Sequence, residues 1–127
     1  MPLKNGSLSF CCKSPLTGGW AEARVGCDMG GTLKKAGYDF VVLSGRAERP
    51  VHLVITDVRA ELESAEHLKG RTVLEKNALL NEGGYSEYDS LVIGPGGERL
   101  VLFASVMVGH RAAGRVGCGA GSSTHLP

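Results

Sequence analysis

Two arginines set among small residues mark the most chemically suggestive part of the chain. The stretch Gly109-His110-Arg111-Ala112-Ala113-Gly114-Arg115-Val116-Gly117-Cys118-Gly119 follows directly on an apolar run over 100–108. Here backbone N–H groups can approach an anion with no Cβ in the way, and the guanidinium groups can add charge-assisted, often bidentate hydrogen bonds. Phosphate is the guest that suits these donors, and any helix beginning here would turn its positive end toward the same spot. A glycine-rich turn closing a sheet would have the same composition, and single glycine motifs do not distinguish the two.

Metal chemistry has thinner support. Cys11, Cys12, Cys27 and Cys118 show neither a C-x-x-C pair nor a framework spacing, so free thiols in a reducing cytosol are expected. A zinc site from Cys118 with His110 or His125 would lack the two close ligand pairs of a structural site. A second glycine-rich region, Gly26, Gly30 and Gly31, carries Arg24 and Asp28 as its charges.

The elements that must position these residues are short. Nineteen glycines and five prolines break the chain too often for long helices, which favours strands and tight loops. Leu8 to Cys12 is a brief apolar patch, and Lys13 to Trp20 reads as an ordered loop. Thr32 to Ala36 predicts one or two helical turns stopped at Gly37. Phe40 to Leu43 and Val51 to Thr56 predict neighbouring strands. Val58, Ala60 and Leu62 alternate with Arg59, Glu61 and Glu63, predicting a strand with its apolar face in the core. Thr72 and Glu75 form a capping-box pair, so a helix is expected from Thr72 to just before Gly83-Gly84. Leu91 to Ile93 and the run 100–108 predict a hairpin-like pair across the turn-rich segment 94–99. The resulting β-β-β-α-β-β order indicates an α+β fold with antiparallel or mixed sheets and one main helix.

At 127 residues the chain has the length of one domain, short for an enzyme that holds a large cofactor unaided. Fourteen basic and thirteen acidic side chains are interleaved, giving no electrostatic footprint for nucleic acid or an anionic membrane. No apolar run approaches a membrane span. Residues 1–12 carry no targeting signal and read as a start inside something larger.

Five blocks resemble, in order, the amino-terminal domain of the tungsten-containing aldehyde:ferredoxin oxidoreductases. They are Lys13-Ser14-Pro15-Leu16-Thr17-Gly18-Gly19, Leu33-Lys34-Lys35-Ala36-Gly37-Tyr38-Asp39, Gly45-Arg46-Ala47-Glu48-Arg49-Pro50-Val51, Ile93-Gly94-Pro95-Gly96-Gly97-Glu98 and His110-Arg111-Ala112-Ala113-Gly114-Arg115. The resemblance covers residues 13–119, leaving 1–12 as a poorly matched leading segment and 120–127 as a divergent tail.

The resemblance implies an incomplete version of a domain that serves as the base for a tungsten (or molybdenum) bis-pyranopterin. The family oxidises aldehydes to carboxylic acids and passes the electrons through a [4Fe-4S] cluster to ferredoxin. By position, Arg24 and Gly26 in a first glycine-rich loop, and Arg111, Ala112 and Gly114 in a second, match the family's pterin contacts. Backbone carbonyls of Arg24 and Ala112 match those that hold Mg between the pterin phosphates. Ser7 stands where the family usually places a cofactor-contacting arginine, and Arg24 where some relatives carry asparagine. The family's Cys-x-x-Cys-x-x-x-Cys group has no counterpart here, so the resemblance implies no cluster ligand and no catalytic residue in this chain. It implies a cytoplasmic fragment, inactive alone and inclined to self-associate through unpaired strands. A noncatalytic β-rich phosphate-binding module, or the product of a decayed gene, is the alternative.

Overall fold

The structure, a computed structural model, describes residues 6–109 and 111–114. The chain runs β1 (Ser7–Lys13), β2 (Trp20–Gly26), α1 (Met29–Lys35), β3 (Val51–Ile55), β4 (Ala60–Ser64), α2 (Val73–Leu80), β5 (Leu91–Ile93), α3 (Pro95–Glu98), β6 (Val106–Val108) and β7 (Arg111–Gly114). A 3-10 turn at Glu66–Leu68 precedes α2, and beyond it the segment Asn81–Tyr85 is broken at Gly84, φ 97°. The strands form three antiparallel sheets, β1-β2, β3-β4 and β5-β6-β7. The class is α+β, as the sequence indicates, but the element order differs from the expected β-β-β-α-β-β.

Local chemistry accounts for the elements. Ser14 is buried, and its Oγ accepts the N–H groups of Leu16 and Thr17, both at 3.2 Å. With Gly18 at φ 72° this closes β1 onto β2, making a hairpin of what reads in sequence as a loop. Helix α1 begins at Met29, earlier than expected, and ends as expected at Gly37, φ 94°. There Gly37 N–H meets the Lys34 carbonyl and Tyr38 N–H the Leu33 carbonyl, satisfying the last turn. The capping box of α2 forms: Glu75 N–H donates to Thr72 Oγ1 (3.3 Å), and Thr72 N–H donates to Glu75 Oε2 (2.7 Å).

Three sequence expectations fail. Phe40 to Leu43 is not a strand; it pairs with nothing among the described residues, and Phe40 is 77% exposed. A β-branched run becomes a strand only when a ladder partner lies beside it. The run 100–108 is a strand only from Val106, because Gly94-Pro95 starts a helical turn, proline at N1 having φ already set for it. That turn ends with Leu100 at φ 61°, where glycine is usual, while Val101 N–H bonds the Gly96 carbonyl. Strands β5 and β6 do pair, with Leu91 opposite Val108, but across this excursion rather than a tight turn. Finally, Leu62 is 67% exposed: the apolar face of the β3-β4 hairpin points outward.

Lys76 is the one buried charged side chain among the described residues, at 5% exposure. Its Nζ donates to the Ile93 carbonyl (2.8 Å) and to Glu98 Oε1, while Glu98 Oε2 accepts the Gly70 N–H (2.8 Å). Burial pushes the Glu98 carboxyl up, and the Lys76 and Gly70 hydrogen bonds, with the Lys76 and Lys69 charges, outweigh it and hold the group below its ordinary value. Removing Lys76 leaves the half-buried Glu98 carboxylate without its ion partner and the Ile93 carbonyl without its donor. Lys76→Ala is therefore expected to cost about 3 kcal/mol, seen as a fall of the melting temperature on the order of 10 °C.

The polar face of the β3-β4 hairpin is fastened to the rest of the domain by hydrogen bonds. Tyr85 Oη donates to Glu63 Oε2, His52 Nε2 lies 3.3 Å from the same oxygen, and the Tyr85 ring stacks edge-on against His52 and Tyr88. The Tyr85 bond, then His52, lowers Glu63 from its ordinary 4.5, and the same bond raises Tyr85. The Glu63 contribution is present above the unfolded value and lost as pH falls through the lower folded value. The Tyr85 contribution is present below about 10 and lost as pH rises. Tyr85→Phe should accordingly flatten the acid limb of stability, followed by urea midpoints between about pH 3 and 5.

Candidate functional site

A cleft of about 860 Å³ opens where the chain's early and late segments meet. Gly26, Cys27 and Asp28 form one wall, Leu74 and Asn77 of α2 with Asn81 just beyond it another, and Val108, Gly109 and Arg111 a third. Helix α2 presents its 74–77–81 side because Lys76 fixes another side against Ile93. Asp89 also lines the cleft and accepts a hydrogen bond from Thr32 Oγ1 at 2.5 Å, which ties α1 to it.

Strands bring the nominated residues here, not loops. Gly26 ends β2, and Arg111 begins β7 just beyond the turn made by Gly109 at φ 55°. The Arg111 guanidinium, though exposed, donates through Nη1 to the Gly26 carbonyl, across 85 residues of sequence. Both line the cleft.

The β1-β2 ladder sets the direction of the neighbouring backbone. Cys27 N–H donates to the Gly6 carbonyl (3.1 Å) and Ser14 N–H to the Gly19 carbonyl (2.8 Å) at its two ends. With the constant register between them, Arg24 and Gly26 occupy non-hydrogen-bonded pairs, opposite Ser9 and Ser7. Their N–H and C=O groups therefore point away from β1. The Arg24 side chain lies on the exposed face of β2, where its Nε donates to Ser9 Oγ at 3.3 Å. Arg24 is not among the residues lining the cleft; it stands two residues along the same strand face as Gly26.

Ala112 faces Met107 in the β6-β7 ladder, and Gly114 faces Val106 beyond a bulge that leaves Ala113 without a ladder partner. Ala113 is fully buried, which anchors the strand. Neither Ala112 nor Gly114 lines the cleft. His110, Cys118 and His125, the residues of the alternative zinc site, lie outside the described residues. Among the described residues no cluster of three histidine, cysteine or acidic side chains could hold a metal, and no disulfide joins Cys11, Cys12 or Cys27.

Sequence reasoning missed the α2 and Tyr88–Ser90 walls. Asn77 and Asn81 are spaced i, i+4 on a helix announced by its capping box, so their common face was detectable; that this face would meet Arg111 was not.

The family model for the aldehyde ferredoxin oxidoreductase N-terminal domain matches residues 2–125. The chain belongs to this family. Tungsten-containing aldehyde ferredoxin oxidoreductases of Pyrococcus furiosus and Pyrococcus abyssi are 45% and 46% identical to it over 117 residues, 91% of this chain. An aliphatic sulfonate oxidoreductase WOR-like subunit of Pyrococcus furiosus is 33% identical over 88% of it. The domain spans 19% of the length of the two tungsten-containing relatives and 20% of the WOR-like subunit. Among solved structures, the active-site complex BamBC of benzoyl coenzyme A reductase with 1,5-dienoyl-CoA superimposes with a TM-score of 0.86 at 29% identity, covering 94% of this chain and 18% of that one. The chain is thus a domain of an oxidoreductase family. Among the described residues no helix is long and apolar enough to cross a membrane.

The wall next to Gly26 is sterically closed. A Cβ at Gly30 of α1 would collide with the Ser7 carbonyl of β1, and one at Gly6 would meet the Cys27 carbonyl. Gly30→Ala should displace α1 and disorder the adjoining wall, read as faster amide exchange at Cys27 and Asp28. Gly31→Ala, where nothing lies within 4 Å, should leave exchange there unchanged.

Proposed function

We propose that this domain cradles the phosphate end of a tungsten, or molybdenum, bis-pyranopterin in an oxidoreductase that oxidises aldehydes to carboxylic acids. The Arg111 guanidinium held over the Gly26 carbonyl, at the mouth of a polar cleft, is the observation that carries this reading. It sets a fixed, always-charged donor beside backbone groups of β2 that are turned away from their own ladder. Arg24 and Gly26 contribute from β2, and Arg111, Ala112 and Gly114 from β7. The relatives' names support a shared ligand: they cite an aldehyde, an aliphatic sulfonate and benzoyl coenzyme A while the domain persists. A part common to different substrates serves what the enzymes have in common.

The residues present fit such a group. Asp28 and Asp89 line the same cleft as Arg111, so bare phosphate would meet two carboxylates against one guanidinium. A hard cation with oxygen ligands would relieve that repulsion; the backbone carbonyls of Arg24 and Ala112, beside the cleft rather than in its lining, are our candidates to hold Mg, on their position in the family's pattern. When bound, the metal–pterin group supplies the two-electron chemistry at the aldehyde carbon. This chain's own part is to bind and orient the phosphates and keep the arginine in register. The family's [4Fe-4S] cluster would carry the electrons on to ferredoxin, and its ligands would come from polypeptide outside this domain. In this reading residues 13–119 are the cradling unit, in a cytoplasmic enzyme, and the isolated chain holds no iron and turns over no aldehyde.

The test places this chain in the Pyrococcus furiosus tungsten-containing relative in exchange for the aligned segment. Arg111→Ala should lower tungsten and pterin per protein roughly ten- to hundredfold, the range set by losing a charge-assisted hydrogen bond. Arg71→Ala, on an exposed connection, serves as the control. Equal occupancy in all three proteins would mean that Arg111 only braces β7 against β2.

A further inference from the structure

The cleft is lined by two kinds of chemistry, and a phosphate with its cation accounts for only one of them. Arg111, Asp28, Asp89 and the Gly26 backbone supply the charges and the carbonyl. Leu74, Asn77, Asn81 and Tyr88 line the same cleft with apolar, amide and phenol groups instead. A volume of about 860 Å³ suits a whole small-molecule ligand, for which pockets run about 300–1,000 Å³, and exceeds what an anion alone would fill.

Tyr88 is held in place yet not covered. Its ring meets that of Tyr85 edge-on, centroids 5.2 Å apart, and its N–H donates to the Tyr85 carbonyl (3.0 Å). Tyr85 is itself fixed, because its hydroxyl donates to Glu63 and its ring stands edge-on to His52 at 5.7 Å. The residue after Tyr88, Asp89, is tied to α1 through Thr32 Oγ1 at 2.5 Å. Fastened on both sides, Tyr88 still leaves 42% of its surface open. A ring immobilised without being buried adds little to the fold, since its apolar area stays in water. For a ligand it is a surface whose ordering cost is already met. Asn77 and Asn81 stand one helical turn apart on the adjoining wall, and neither side-chain amide has a hydrogen-bond partner among the described residues. Each offers donors and an acceptor together.

From these observations we infer that the ligand of the cleft lays a planar, uncharged heterocycle along this wall. Tyr88 and Leu74 take its face, and Asn77 and Asn81 take the edge that bears its nitrogen and oxygen atoms. A hydrocarbon ring would cover both amides without pairing them, which is costly. A ring with donors and acceptors on one edge satisfies all four side chains. The inference deepens the reading of the cleft as a phosphate cradle and rests on it for the ligand's charged end, while Tyr88 and the two asparagines are tested separately from Arg111.

In the hybrid enzyme, Tyr88→Leu, and the pair Asn77→Leu with Asn81→Leu, should each lower pterin per protein roughly tenfold, the scale of one lost ring stack or of lost amide hydrogen bonds. Tyr88→Phe keeps the ring and should hold the unsubstituted content. The full 127-residue chain is then titrated with biopterin, which carries no phosphate, and followed by proton NMR. The ring current of a stacked tyrosine should move the pterin-ring C–H signal upfield with the unsubstituted chain, with Tyr88→Phe and with Arg111→Ala, and leave it in place with Tyr88→Leu. A purely structural role for Tyr88 would not produce that signature. Loss of pterin from the hybrid with Arg111→Ala, but not with Tyr88→Leu or the asparagine pair, would overturn the inference and leave the phosphate cradle standing. Loss with the wall variants but not with Arg111→Ala would support the inference and remove Arg111 from the binding machinery. An upfield shift that persists in Tyr88→Leu, or none with the unsubstituted chain, would also overturn the inference.

Discussion

A lysine ammonium with almost no access to water is the constraint around which the C-terminal half of this domain is arranged. Lys76 needs oxygen partners, and it takes them from the end of β5 at Ile93 and from Glu98 in α3, which in turn holds Gly70. Two stretches of chain, Gly70 to Lys76 and Ile93 to Glu98, meet at one ion pair. An apolar contact would tolerate sliding; a buried ion with directional hydrogen bonds does not. The rotation of α2 follows from this anchor, and with it the side of the helix that carries Asn77 and Asn81 toward the cleft.

A comparable economy governs the other end of the cleft. Arg111 and Gly26 come from different sheets, and the hydrogen bond between them joins β7 to β2. The fully buried Ala113 and the bulge between Val106 and Met107 set how β7 runs behind that bond. An arginine that braces the fold through one N–H retains further donors for a ligand, so the structural and binding roles of the side chain are compatible.

One face of the β3-β4 hairpin holds His52 and Glu63 in hydrogen bonds with Tyr85, while the other leaves Val51 and Leu62 exposed. In a self-sufficient protein the hydrophobic effect would favour the reverse.

What the sequence determined by itself was local or compositional. The capping box at Thr72 and the glycine stop at Gly37 follow from short-range chemistry that needs no distant partner, and the α+β class follows from the pattern of short elements. The resemblance carried by five ordered blocks likewise needs no coordinates. Tertiary structure decided the rest. Phe40 to Leu43 has strand-forming residues but no ladder partner, so propensity was overruled. Val58, Ala60 and Leu62 alternate as a buried face would, yet alternation cannot say which side of a hairpin meets the domain; Tyr85 decides that by bonding Glu63. Lys76 looks like any helix-surface lysine until Glu98 is seen beside it, and Arg111 meets Gly26 only after 85 residues have folded between them. Periodicity is a property of one segment, whereas burial, charge pairing and convergence at a site are properties of two or more, and only the folded chain specifies which segments those are.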